Sequence, residues 1–152
     1  MRKHEMYVPK TKIDLINHHN KLMNQVYKEL IPNIRKKLGN KDHSIDFIAL
    51  FGSRAKNSYA WNSDIDIVIV SDSFSSLRYL DRTSLFETTN FDRQIDFLCF
   101  TPSEIWKAFQ ERSSTILTLM RDGIVLFSHS QLWKLLQIEF KLVPDKITAL
   151  LK

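Results

Sequence analysis

Cysteine is almost missing from this chain: Cys99 stands alone among 152 residues, so neither a disulfide framework nor a cysteine-based zinc site is available. No stretch of eighteen apolar residues occurs, as a membrane-spanning helix would need. The opening residues, MRKHEMYVPK, lack the apolar segment of a secretory signal. These absences predict a soluble, cytoplasmic protein with no membrane partner. Glycine is nearly as scarce, with three residues, so each marks a demand on the backbone. Gly39 and Gly123 follow predicted helices, where a left-handed residue commonly ends the helix. Gly52 lies instead between a predicted strand and a short helix or turn expected over 54–59, where the missing Cβ lets another group approach the main chain and a helix N-terminus would offer free N–H groups to an anion.

What is present suffices for one core. A chain of 152 residues buries roughly 70% of its unfolded surface, and no repeat, linker or low-complexity tract divides it, so a single α/β (α+β) domain over residues 1–152 is expected. Apolar residues Ile13, Ile16, Met23, Val26, Tyr27, Leu30, Ile34 and Leu38 recur near a helical period, predicting an amphipathic helix within a basic segment 1–40, kinked or restarted at Pro32 and ended by Gly39. Alternation predicts strands over 44–51, with Ile45, Phe47, Ala49 and Phe51 on one face, over 64–71, over 94–100 and over 124–127. Helices are expected over 75–90, from Ser103 as N-cap with Ile105, Trp106 and Phe109 inward, over 114–122, and from about 131 to an interruption at Pro144. The expected core is 44–127, followed by a C-terminal helix in 130–152.

Charge is unevenly distributed. Residues 1–41 carry ten Lys/Arg against three Asp/Glu, and the remainder twelve against fourteen. A basic arm of this kind suits nucleic acid, an acidic partner or substrate phosphates, or it is a solvated helix face. Nucleic acid ranks low, because the arm carries no interleaved aromatic residues beyond Tyr7 and Tyr27.

The sharpest signal is a pair of acids inside the most strand-prone segment, SDIDIVIV. Alternation puts Asp64 and Asp66 on one face, roughly 6.5 to 7 Å apart, with Ile65, Ile67 and Ile69 on the other. Two converging carboxylates repel and lose solvation unless a cation compensates, and an oxygen-only donor set suits magnesium. QIDFLCF places Asp96 in another apolar strand with Ile95, Phe97 and Cys99 opposite. If the two strands are neighbours, three carboxylates can hold two metal ions, the clamp used for in-line displacement at phosphorus. The Gly52-Ser53 turn would offer N–H and hydroxyl groups to phosphates.

Gly52-Ser53-Arg54-Ala55, Ser63-Asp64-Ile65-Asp66 and a later strand Asp96 resemble the signature of the DNA polymerase beta superfamily of nucleotidyltransferases, and the compact chain resembles its minimal, antitoxin-type members that act on a helical HEPN-type partner. The resemblance implies the nucleotidyltransferase fold, a mixed β-sheet flanked by helices, and ATP as substrate with two Mg2+ ions. It implies that Gly52 and Ser53 hold the β- and γ-phosphates, that Asp64 and Asp66 ligate both metals, and that Asp96 ligates the catalytic metal and receives the proton of an attacking hydroxyl. Many relatives read Gly-Ser-x-Ala-Arg-Gly. Here Lys56 keeps the charge without the planar fork, and Asn57 must take a backbone conformation that glycine adopts more freely.

The expected activity is transfer of AMP to a hydroxyl of a protein acceptor, as an antitoxin or within a homodimer. A small-molecule acceptor and a non-catalytic binding module of the same fold are the alternatives. Arg54 is either a nucleotide ligand or a structural arginine. Trp61 either stacks on a base or packs over the sheet edge. His18 and His19, adjacent on a helix, make a poor metal pair, while Cys99, Trp106 and Trp133 read as packing residues.

Overall fold

The computed structural model describes residues 8–38 and 44–142. Helix α1 (Lys12–Gln25) is capped by Thr11, whose side chain accepts the Asp14 N–H, and runs through a wide π-helical turn, Val26–Leu30, into α2 (Ile31–Lys37). The break precedes Pro32: the Ile31 N–H reaches back to the Val26 carbonyl, and this wider turn seats the proline in the first turn of α2, where its missing N–H is least costly. The inner stripe consists of His19, Leu22, Val26, Leu30, Ile31, Ile34 and Leu38, whereas Ile13, Ile16 and Tyr27, expected in the core, are exposed. The expected roles of Gly39 and Pro144 lie outside the described residues.

Four strands form a mixed sheet in the order β3-β2-β1-β4: β1 (Ile45–Phe51), β2 (Ile65–Ser71), β3 (Ile95–Phe100) and β4 (Ile124–Ser128). β1 is antiparallel to β2 and β4, while β2 and β3 are parallel. The sheet separates two apolar layers. Ile48, Leu50, Ile65, Ile67, Ile69 and Cys99 pack with α1 and α2. Phe47, Ala49, Val68 and Val70 pack with α4 (Pro102–Gln110), α5 (Ser114–Asp122) and α6 (Leu132–Leu142). Ile45 lies with the first layer, contrary to its expected alignment with Phe47, because the β1–β2 register shifts between those residues and a bulge reverses side-chain parity.

The helix expected over 75–90 is broken. A 3-10 turn (Asp72–Ser76), one α-helical turn, α3 (Tyr79–Arg82), and a second 3-10 turn (Thr83–Leu85) replace it. Serine side chains shape the first 3-10 turn: Ser71 Oγ accepts the Ser73 N–H, and Ser75 Oγ donates to the Asp72 carbonyl. Buried Arg82 also donates to the Leu77 carbonyl, to that of Cys99 and to the Glu104 carboxylate, pinning the crossover to the end of β3. Glu104 in turn closes a capping box at the start of α4 with Thr101. The N-cap is therefore Thr101 rather than Ser103, with Pro102 in the first turn.

Gly123 has φ −64° at the end of α5, not a left-handed conformation. Space explains it: a Cβ there would collide with the Leu119 carbonyl and lie 3.2 Å from the Trp133 ring. Trp133 packs edge-on against Phe47, with centroids 5.0 Å apart, and Trp106 stacks on Phe109 at 5.9 Å, so both tryptophans serve packing. Cys99 is buried, and burial pushes its thiol up to about 12. Among the described residues no helix is long and apolar enough to cross a membrane.

Candidate functional site

Strand register decides whether the three acids meet. The antiparallel β1–β2 pair sets Phe51, the last residue before the glycine turn, opposite Asp66, and the parallel β2–β3 pair sets Asp66 opposite Asp96. Adjacent strands lie about 4.8 Å apart, so the end of β1 and the starts of β2 and β3 converge on one edge of the sheet. Asp66 and Asp96 share the face that carries Val68, Val70, Leu98 and Phe100 farther along. Asp64 precedes β2 by one residue and is exposed, whereas Asp66 and Asp96 are half-buried.

Burial raises the Asp66 carboxyl above the usual carboxylate range, and the charges of Asp96 and then Asp64 push it in the same direction. Gln94 donates from Nε2 to Asp96 Oδ1 at 2.7 Å, a contact that orients that carboxylate and that sequence reading did not single out. Among the described residues no three His, Cys, Asp or Glu side chains already stand close enough together to hold a metal ion. The donor set nonetheless fits a hard divalent cation: three carboxylates from adjoining strand starts, with Asp66 in an environment that disfavours an uncompensated negative charge.

Gly52 supplies the space for this arrangement. Its φ is +73°, and a Cβ built on it would overlap Asp66 Oδ2 and lie 3.1 Å from Asp66 Cγ. The turn of residues 52–57 is closed by the N–H groups of Ala55 and Lys56, both donating to the Gly52 carbonyl at 3.2 Å, and by Ser58 N–H to the Ser53 carbonyl at 3.0 Å. Asn57 takes φ 60°, the left-handed conformation that asparagine tolerates best among non-glycine residues. Lys56 is exposed on this turn and Ser53 half-buried.

Arg54 points inward. Its side chain is 1% exposed; Nε and Nη2 donate to the Ser63 carbonyl at 3.0 and 2.9 Å, Nη2 to the Trp61 carbonyl at 3.3 Å, and Nη1 to His19 Nδ1 at 2.9 Å. Of the two roles expected for Arg54, the geometry matches the structural one and departs from that of nucleotide ligand. His19 from α1 stacks on Tyr59 at 4.0 Å with 12° between the rings, and the Arg54 guanidinium lies 5.2 Å from the Tyr59 centroid. Sequence reading missed His19; the available signal was its helical spacing with Leu22 and Val26, which places it on the buried stripe. Trp61 is half-buried beneath the Arg93 guanidinium, 5.3 Å from its ring centroid.

Burial, then Arg54, then His18 lower the His19 imidazole to about 4, so at neutral pH it is uncharged and its Nδ1 accepts from Arg54. Because the folded value lies below the unfolded one, the stabilisation is complete above about pH 6.5 and is lost as pH falls toward 4. Relative to His19→Asn, which keeps an acceptor but does not titrate, the wild-type chain should lose about 2 kcal/mol of stability between pH 6.5 and 4.5. Urea unfolding of both proteins at the two pH values measures this, and parallel losses would contradict a neutral His19.

Comparison with known proteins agrees with this architecture. No curated protein sequence is matched. Among solved structures, a candidate nucleotidyltransferase from Sulfolobus solfataricus superimposes with a TM-score of 0.51 at 17% identity, over 76% of this chain and 87% of that one. A variant of the toxin-antitoxin MntA-HpeT superimposes with a TM-score of 0.50 at 20% identity, over 76% and 86%. At such identities these likenesses establish the fold. The sequence profile described as polymerase beta, nucleotidyltransferase, matches residues 32–131, about two thirds of the chain and every strand of the sheet, and on that ground the chain belongs to the polymerase beta nucleotidyltransferase family.

Proposed function

We propose that this protein transfers AMP from ATP to a hydroxyl of a protein acceptor, in the cytoplasm and as the antitoxin of a toxin-antitoxin pair, with residues 44–127 as the catalytic core between flanking helices. The observation that carries the chemistry is the register of β2 and β3, which sets Asp66 beside Asp96 with the Gly52 turn against the Asp66 carboxylate. The protein acceptor, a helical HEPN-type partner, is supported by the toxin-antitoxin neighbour and by the resemblance of the motifs to minimal nucleotidyltransferases.

Asp64, Asp66 and Asp96 would hold two magnesium ions. When bound, these ions supply positive charge to the phosphates and to both the entering and leaving oxygens. Gly52 and Ser53 bind the β- and γ-phosphates through backbone N–H and the serine hydroxyl, and exposed Lys56 adds a positive charge at the same turn. Asp96, oriented by Gln94, takes the proton of the acceptor hydroxyl. The acceptor oxygen then bonds to the α-phosphorus, the bond from that phosphorus to the bridging oxygen breaks, and pyrophosphate carries away the electron pair.

Incubation with α-labelled ATP, Mg2+ and the lysate of the source cells should label one protein band. Asp64→Asn and Asp96→Asn should each reduce labelling at least ~10³-fold, since each removes a charge that stabilises the transition state. Label on a small molecule instead would move the acceptor to that class. Absence of label with the wild-type chain would favour a binding module without turnover.

A further inference from the structure

The segment between the glycine turn and the acids, residues 53–64, has to bring Ser53 and Asp64 into one site although eleven positions separate them in sequence. No regular element spans it. Its internal bonds are local: Ser58 N–H to the Ser53 carbonyl, Ser63 N–H to the Ala60 carbonyl, and Ala60 N–H to Ser63 Oγ at 2.8 Å. The contact that links its two ends is the Arg54 side chain. It leaves the chain one residue after Ser53 and grips the carbonyl of Ser63, one residue before Asp64, with two parallel N–H donors.

We infer that Arg54 and His19 form a positioning clamp, in which His19 of α1 holds the Arg54 guanidinium so that the Ser53 turn and Asp64 are kept in register for nucleotide binding. This inference rests on the proposed reading of Ser53 and Asp64 as phosphate- and metal-binding residues. It also gives α1 a part in the site, although α1 (Lys12–Gln25) precedes the family match at residues 32–131.

The chemistry of the cluster supports a positioning role over a ligand role. A guanidinium that is 1% exposed has lost its hydration, and the partners in its place are carbonyl oxygens, an imidazole nitrogen and an aromatic face. These are neutral acceptors arranged for a planar fork; a lysine ammonium cannot bridge the same set. Desolvation is the leading influence on Arg54, with Asp64 among the charges acting on it, so the clamp also sets a fixed positive charge within electrostatic reach of that acid. Stacking of His19 on Tyr59 fixes the ring plane, which aims Nδ1 at the Arg54 Nη1.

The test uses the full chain and two readouts, the Kd for Mg-ATP by calorimetry and amide hydrogen exchange across residues 53–64. His19→Ala and Arg54→Lys should each weaken Mg-ATP binding about tenfold or more, in the range typical of residues that orient ligating groups, and should speed exchange in the segment. Their combination should do no more than the worse single change, because one clamp is lost either way. His19→Asn, which returns an acceptor near the Nδ1 position, should restore Kd to within about threefold of wild type; a merely packing role for the ring would not be rescued this way. Unaltered binding and exchange in His19→Ala, or additive losses in the double variant, would overturn the clamp. A wild-type chain that fails to bind Mg-ATP would instead overturn the reading of the site, and the exchange difference between His19→Ala and wild type then judges the clamp by itself.

Discussion

Gly52→Ala is expected to cost about 3 kcal/mol of folding stability and to abolish nucleotide transfer. Two effects add: an L-residue held at φ +73° loses roughly 1–2 kcal/mol, and an inserted methyl group that must displace neighbours costs a further ~1–3 kcal/mol. The neighbour is specific, because the new Cβ would overlap the Asp66 carboxylate. The steric share should therefore shrink when Asp66 is shortened. Urea unfolding of wild type, Gly52→Ala, Asp66→Ala and the double variant separates the shares: the glycine substitution should be ~1–2 kcal/mol less costly in the Asp66→Ala background. Equal costs in both backgrounds would show that the turn does not press on this acid.

Asp66→Asn should have the opposite effect on stability and the same effect on function. Burial and the charges of Asp96 and Asp64 disfavour the ionised Asp66 side chain; a neutral amide of the same shape removes that penalty. In the presence of a chelator at neutral pH, the variant should melt at a higher temperature than wild type. Transfer from Mg-ATP should fall at least ~10³-fold, because on the proposed reading Asp66 would ligate both metal ions. Calorimetric melting and the labelling assay read the two effects on one preparation. A variant that is less stable without metal would contradict the proposed electrostatic conflict at this position.

The strands and the shared face of Asp66 and Asp96 were legible because both rest on a two-residue period. Ile65, Ile67 and Ile69 fall together into one layer, and Ile95 and Cys99 join them, so parity alone placed Asp66 and Asp96 on the opposite face. Parity failed at Ile45, where a bulge intervenes, and a bulge leaves no periodic trace. The helix expected over 75–90 failed for a different reason. The Arg82 guanidinium occupies the Leu77 carbonyl, which a helix would need, and it is held there by bonds to Cys99 and Glu104 that depend on where β3 and α4 lie. The cap of α4 was misplaced at Ser103, although Thr101 and Glu104 have the spacing of a capping box. His19 and Arg54 were the least legible part of the site: 35 residues apart, they are joined only by the packing of α1 against the loop before Asp64.

Lys56 is exposed beside a left-handed Asn57, so the turn carries a positive charge that, on the proposed reading, would meet the phosphates. The fixed, forked cation of this loop is Arg54, which faces the protein interior. The exposed charge and the buried, hydrogen-bonded one thus belong to two residues of the same turn, separated in sequence by Ala55 alone.

The central claim, that Asp64, Asp66 and Asp96 form one cation-dependent nucleotide site, is tested most directly by the melting temperature of the wild-type chain with and without saturating Mg-ATP, alongside Asp66→Asn and Asp96→Asn. At a nucleotide concentration of about 100 Kd, binding stabilises the fold by about 2.7 kcal/mol, so the wild-type melting temperature should rise by roughly 5 °C or more, with no rise when Mg2+ is withheld and none in either variant. A wild-type melting temperature that Mg-ATP leaves unchanged, or an equal rise in all three proteins, would contradict it.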